Sequence, residues 1–344
     1  MKAVQVPKAG ADFQVVERDI PEPGAGHVRI QVRACGVCHS DVLTKEGLWP
    51  GIQYPRAPGH EVAGIIDEPG AGVSVWKKGQ RVGVGWHGGH DGTCRECRRG
   101  DFRNCRNRQI TGISYDGGYQ QYMVAPVEAL VAIPEGLSDA EAAPLLDAGT
   151  TTFGALRRSG ALPGDLVAVQ GVGGLGHLAI QFANKFGYRT AAVGRGSENA
   201  VLARKLGASA YIDSTATNAA EALQGLGGAR VILSTAPSGK AMSELIDGLG
   251  PNGELLVVGA ASDPIEVTPV QLILGNPKNQ GWVNGSRSIQ GWAASTPADS
   301  EDTLRFAELS GVRPMIETYP FEKAAEAYAR MLSGKAQFRC VLTM

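Results

Sequence analysis

A chain of 344 residues is long for one domain, and with 43% hydrophobic residues it can bury more than one core. Its 33 basic and 34 acidic side chains balance to a formal charge of -1, which argues against a surface built for nucleic acid. No apolar run is long enough to span a membrane, and Met1–Val6 reads as a strand without the apolar core of a secretion signal, so a cytoplasmic protein with no membrane partner is expected.

The first 150 residues are broken by Gly and Pro into short apolar runs such as Val28–Val32 and Val62–Ile66. This alternation predicts a mainly β domain. Cys38 lies there in Gly36-Val-Cys-His-Ser-Asp41, and His60 in Pro58-Gly-His-Glu61. Spacing alone does not bring these together with Asp147, and a lone His or buried Asp is more often structural than a ligand.

Asp91-x2-Cys94-x2-Cys97-x7-Cys105 is a stronger local signal. In a reducing compartment, clustered cysteines bind metal more often than they form disulfides. Three thiolates and a carboxylate on one loop can enclose a tetrahedral zinc with no open position, which is a structural site. The bland alternative is three free thiols on a surface loop. Asp91 is the least secure member of the set.

From about Leu162 the texture changes to apolar strands separated by helical patterns. Strands are predicted at Leu166–Gln170, Thr190–Val193, Ala210–Ile212, Arg230–Ser234 and Leu255–Val258, with a sixth near Gly281–Val283. Helical patterns include Leu175–Phe186 and Glu198–Leu206. Alternation of this kind predicts a doubly wound, parallel α/β sheet of the Rossmann type. Gly171-Val-Gly173-Gly174-Leu175-Gly176 follows the first of these strands and opens a helix, the setting in which G-x-G-x-x-G cradles a dinucleotide pyrophosphate.

The acid that usually holds the ribose hydroxyls of NAD is expected at Gly194, and Arg195 stands beside it. A guanidinium suits a 2′-phosphate, so NADP is favoured over NAD, with Glu198 the residue that argues the other way. The last stretch carries helical patterns at Ala298–Leu309 and Phe321–Leu332 and a strand at Gln337–Leu342, and is expected to pack back on the first domain.

The chain resembles the zinc-containing medium-chain alcohol dehydrogenases over nearly its whole length. The resemblance rests on Gly36–Asp41, Gly59–Gly64, the Cys94–Cys105 loop, Ala148–Thr152 and Gly171–Gly176, in that order. It implies a GroES-like, mainly β catalytic domain from residues 1–150 and 288–344, and a Rossmann domain from 151–287. It further implies two zinc ions per chain. The catalytic one would sit on Cys38, His60 and Asp147, with Glu61 as a supporting or alternate ligand and Asp41 orienting the histidine. The structural one would sit on Asp91, Cys94, Cys97 and Cys105.

The same resemblance assigns His39 and Arg339 to the cofactor pyrophosphate. It places Thr151 at the nicotinamide side and Thr235 and Val258 at the carboxamide. Trp49 and Trp86 become candidate walls of the substrate pocket, although both also fit ordinary core packing. The implied reaction moves a hydride between NAD(P)(H) and a small primary alcohol or aldehyde, with Ser40 taking the alcohol proton. A homo-oligomer, tetramer or dimer, is implied as well.

Three positions depart from the commonest family pattern. Asp91 and Asp147 replace cysteines, and Leu43 replaces a proton-relay histidine, so the terminus of the relay is left open. Two rival readings are a zinc-free quinone or enone reductase on the same scaffold and a non-enzymatic nucleotide-binding structural protein. The first predicts loss of the ligand positions, which all stand here. The second leaves the ligands, the Ser40 hydroxyl and the glycine loop without a purpose.

Overall fold

The computed structural model describes residues 1–275 and 285–344. The chain divides into two compact units, Met1–Thr150 with Ala294–Met344, and Thr151–Ala293. Among the described residues no helix is long and apolar enough to cross a membrane.

The first unit opens with a hairpin of β1 (Lys2–Gln5) and β2 (Gln14–Glu17). Strands β3 (His27–Val37), β4 (Val62–Pro69), β5 (Arg81–Val84), β6 (His87–Gly89), β7 (Gln109–Ile110), β8 (Tyr122–Pro126) and β9 (Leu130–Ala132) follow. β3 is the spine. Its first half alternates between buried and half-buried residues, as a sheet with one face on a core requires. Val28, Ile30 and Val32 turn inward with Val62, Ile66, Val82 and Met123, so one apolar cluster holds the unit together.

In the second unit, β10 (Leu166–Gln170), β11 (Arg189–Gly194), β12 (Ala210–Asp213), β13 (Ala229–Ser234), β14 (Leu249–Val257) and β15 (Ser288–Gly291) form one six-stranded sheet. Its spatial order is β12-β11-β10-β13-β14-β15, and every neighbouring pair is parallel. β10 is buried throughout, as a central strand with both faces covered must be. The expected strand at Gly281–Val283 lies outside the described residues. The sheet's sixth strand stands at Ser288–Gly291, so those residues belong with the parallel sheet and the chain returns to the first unit only at Ala294.

The C-terminal stretch supplies β16 (Ile316–Pro320) and β17 (Arg339–Thr343). β17 runs antiparallel to β3, completing the order β16-β17-β3-β4-β5-β9, with β8 paired to β3 off that path. The helix Pro297–Ser310 begins with a reciprocal cap between Thr296 and Asp299 and ends on Gly311 in a left-handed conformation. The helix over Ala324–Leu332 starts later than its sequence pattern, because Phe321–Lys323 form a tighter 3-10 turn.

Candidate active site

β3 delivers the chain to Cys38, which is the N-cap of a 3-10 turn over His39–Asp41. The Cys38 sulfur accepts the Ser40 N–H at 3.5 Å, and the Cys38 N–H donates to Asp41 Oδ2 at 3.0 Å. His60 and Glu61 lie immediately before β4. Asp147 comes from a π-helical segment, Leu145–Gly149, whose additional residue per turn interrupts the regular helical register on either side.

These segments converge. One donor atom each from Cys38, His60, Glu61 and Asp147 lies within 4.8 Å of the others. Cys38 Sγ stands 3.2 Å from Asp147 Oδ2, and His60 Nε2 stands 3.5 Å from the same oxygen. Donors arranged tetrahedrally around one zinc are separated by roughly 3.3–3.5 Å for N/O pairs and roughly 3.5–3.7 Å for S/O pairs. His60 Nδ1 faces Asp41 Oδ1 at 3.2 Å, which directs Nε2 toward the cluster. Among the described residues, neither the buried Nε2 nor the buried Glu61 Oε2 has a hydrogen-bond partner. A cation bound among these donors would satisfy both atoms, so the residues fit a zinc ion.

The electrostatics point the same way. Burial, reinforced by the Asp147 charge, pushes the Cys38 thiol up. Burial also lifts Glu61 to about 7, although the Arg339 guanidinium beside it pulls the other way. Burial opposes ionisation of His60 and Asp147 too, but their mutual pairing and the Asp41 carboxylate win: the histidine is raised and Asp147 lowered. Several anionic groups are thus collected in a buried place, which is costly unless a cation or protons share the charge.

The second cluster is local. Donor atoms of Asp91, Cys94, Cys97 and Cys105 also lie within 4.8 Å of one another. Cys94 Sγ and Cys105 Sγ are 3.9 Å apart, close to the roughly 3.8 Å of two thiolates on one zinc and far beyond a disulfide bond. Asp91 Oδ1 accepts the N–H groups of Thr93 at 2.8 Å and Cys94 at 2.9 Å, and Oδ2 accepts from Asn107 at 2.7 Å. These donors hold the Asp91 carboxyl well below the usual carboxylate range.

In the parallel-sheet unit the glycine loop behaves as its pattern requires. Gly171 has φ 93°, and a side chain there would meet Thr235 Oγ1 at 2.5 Å. At Gly176 a Cβ would lie 1.8 Å from the Gly171 carbonyl, so helix and strand approach as only glycine permits, while Gly173 faces open space. Gly174 and Leu175 complete the loop before the helix Gly176–Lys185. Gly194 ends β11, and a Cβ there would lie 2.4 Å from the Tyr211 hydroxyl, which donates to the Gly196 carbonyl. The Tyr211 ring edge thus lies against Gly194. Asp213, the nearby carboxylate, accepts from the Gly196 and Thr215 N–H groups and the Thr215 hydroxyl, so it braces the loop. Arg195 is exposed.

Two family profiles match the chain: the alcohol dehydrogenase GroES-like domain over residues 24–135 and the zinc-binding dehydrogenase domain over residues 174–308. Alcohol dehydrogenase patD of Penicillium expansum is 45% identical over 97% of this chain and 95% of its own length. The chain belongs to the zinc-containing medium-chain alcohol dehydrogenases. A cinnamyl alcohol dehydrogenase of Sorghum bicolor superposes with a TM-score of 0.87 at 29% identity, over 99% of this chain and 97% of that one. A cobalt- and zinc-bound thermostable alcohol dehydrogenase of Pyrobaculum aerophilum gives 0.86 at 26% identity, over 100% and 99%.

In this NAD(P)-dependent alcohol dehydrogenase Arg339 has a partner that the sequence did not suggest. Its guanidinium hydrogen-bonds Glu61 and, at 3.4 Å, the Val37 carbonyl, and only 5% of the residue is exposed. Both bonds are made by Nη2, so Arg339 adjoins the donor cluster of Cys38, His60, Glu61 and Asp147. Thr235 likewise spends its hydroxyl on the Gln170 carbonyl at 2.8 Å, and Val258 donates its N–H to Ser234 at 3.0 Å. Thr235 follows the end of β13 and Val258 the end of β14.

His39 is exposed, Ser40 and Leu43 are half-buried, and Thr151 is buried. Trp86 stacks edge-on against the His60 ring at 4.9 Å, and Trp49 packs against Trp86 at 6.2 Å. Sequence reasoning missed Tyr119, whose hydroxyl reaches Asp41. Its only signal was an aromatic in a Gly-Gly-Tyr run just before β8.

Proposed function

We propose that this alcohol dehydrogenase reduces small aldehydes and oxidises the matching primary alcohols with one zinc held by Cys38, His60 and Asp147. A second, structural zinc is held by Asp91, Cys94, Cys97 and Cys105. The observation that carries the reading is the unpartnered, buried His60 Nε2 facing a thiol and a carboxylate at ligand-pair spacing. When bound, the catalytic zinc supplies Lewis acidity that favours the ionised form of an alcohol.

The chain's own residues do the rest. Asp41 fixes the His60 tautomer, and Arg339 keeps Glu61 charge-balanced within reach of the ion. The Ser40 hydroxyl, two residues beyond Cys38, takes the alcohol proton and passes it outward, since Leu43 carries no proton. Trp86 and Trp49 give the site a flat, apolar wall, which favours unbranched or aromatic primary substrates. Arg195, with Gly194 in place of an acid, gives NADP preference over NAD. The working form in this reading is a cytoplasmic homo-oligomer, tetramer before dimer.

A panel of primary, benzylic and secondary substrates assayed with NADPH and NADH, with and without a chelator, tests the reading. Aldehyde reduction that prefers NADPH and dies with chelation is expected. Arg195→Ala should raise the KM for NADPH about tenfold while leaving that for NADH unchanged, the loss of a charge-assisted pair of bonds. Turnover that survives removal of all zinc, or a strong preference for NADH in the wild type, overturns the corresponding part.

A further inference from the structure

Four consecutive residues, Asp116-Gly117-Gly118-Tyr119, are laced to the segment that carries His60. The N–H groups of Gly117, Gly118 and Tyr119 donate to the carbonyls of Ala57, Gly59 and Pro58 at 2.8, 3.0 and 3.0 Å. Asp116 Oδ1 accepts the Ala57 N–H at 2.8 Å. The Tyr119 ring lies on Gly59, where a Cβ would come within 2.5 Å of it.

From this position the fully buried Tyr119 hydroxyl donates to Asp41 Oδ2 at 2.9 Å. The same oxygen accepts the Cys38 N–H, and the carboxylate's other oxygen faces His60 Nδ1 at 3.2 Å. Asp41 is therefore held from three sides. Without the tyrosine, nothing in this arrangement fixes the rotation of the carboxylate except a single backbone bond and the histidine it is meant to orient.

We propose that Tyr119 is a positioning residue for the catalytic zinc: it locks the Asp41 carboxylate in the rotation that receives His60 Nδ1–H, and so aims Nε2 at the ion. The proposal rests on the zinc assignment given above. Tyr119→Phe keeps the ring, the strap and the packing on Gly59, and removes only the hydroxyl.

The test uses the full-length, zinc-loaded protein and measures zinc release to a competing chelator. The two sites are assigned with Cys38→Ala and Cys97→Ser. In Tyr119→Phe the catalytic zinc should bind about tenfold more weakly, at the low end of what orienting partners of metal ligands contribute, with the loop zinc unchanged. In an Asp41→Asn background the same substitution should add almost nothing, because the group it acts through is already altered.

Wild-type affinity in Tyr119→Phe overturns the proposal. Equal loosening of both zincs, or a full additive loss in the Asp41→Asn background, also overturns it, since each marks a general structural role. A wild-type protein that loads zinc only on the loop removes the underlying assignment, and the proposal with it.

Discussion

Asp91 and Cys105 are separated by 14 positions on one loop, whereas Cys38 and Asp147 are 109 apart and meet only because the fold brings them together. The loop cluster is wired by its own backbone. Neighbouring N–H groups bond Asp91 and the thiols, and part of the set is open to solvent. The other cluster is buried, depends on β3, β4 and a π-helical turn, takes Asp41 from the turn that Cys38 caps, and borrows Tyr119 and Arg339 from further segments. A site assembled locally can be kept or lost without moving the segments that build the other site. A site assembled over long range makes the fold the source of its geometry, and its chemistry fails when any supporting segment moves.

The largest effect should come from breaking the long-range cluster. His60→Ala removes the oriented donor and should abolish turnover while the loop zinc stays bound, checked by steady-state assay and metal analysis together. Loss of both zincs would mean that the two clusters are not independent. Next, Cys97→Ser should release the loop zinc and lower Tm by at least about 4 °C, because binding free energy of a structural ion is folding free energy. The protein that remains folded should keep its kcat within about threefold, which calorimetry and an assay below the transition would check.

A smaller effect is expected on the strand beside the one that carries Arg339. Glu317 in β16 pairs with Arg330 at 2.9 and 3.0 Å and accepts the Gln337 N–H at 2.9 Å. These bonds hold its carboxyl at about 2, below the ordinary 4.5. The fold thus favours the ionised form, so the stabilisation is complete above about 4.5 and is lost as the pH falls toward about 2. Arg330 is 38% exposed, so solvent screening reduces the contribution to about 1 kcal/mol. Glu317→Gln should lower stability by that amount at pH 7, converge with wild type in acid, and leave kcat untouched. A changed kcat would show that the edge strand reaches the chemistry through Arg339.

Much of the parallel unit was legible because buried parallel strands are written as short continuous apolar runs. Leu166–Gln170 is an example, and the glycine loop after it has one mechanical use. The beginning of β14 was not: Pro251-Asn252-Gly253 reads as a turn, and in the fold it lies where the register with β13 jumps from Leu249 to Glu254, with Asn252 at φ 54°. The loop cluster could be read from spacing alone. The buried cluster could not: a π-helical turn has no simple periodic signature, and the family pattern was needed to bring Asp147 to Cys38 and His60. The pairing of Arg339 with Glu61 was hidden for a related reason. The two are 278 positions apart, and the sequence carries no trace of that pairing. The absence of an acid at Gly194 was visible, but the nearness of the Tyr211 hydroxyl to it belongs to the sheet.

Stepwise zinc removal is the most direct test that one chain carries two separately built metal sites with different tasks. Chelator titration of the purified protein would be followed by zinc content, turnover and Tm on the same samples. Two zinc ions per chain should be found: removal of one should extinguish turnover with little change in Tm, and removal of the other should lower Tm. A single zinc per chain, one event in which activity and Tm fall together, or full turnover after both ions are gone would contradict the account.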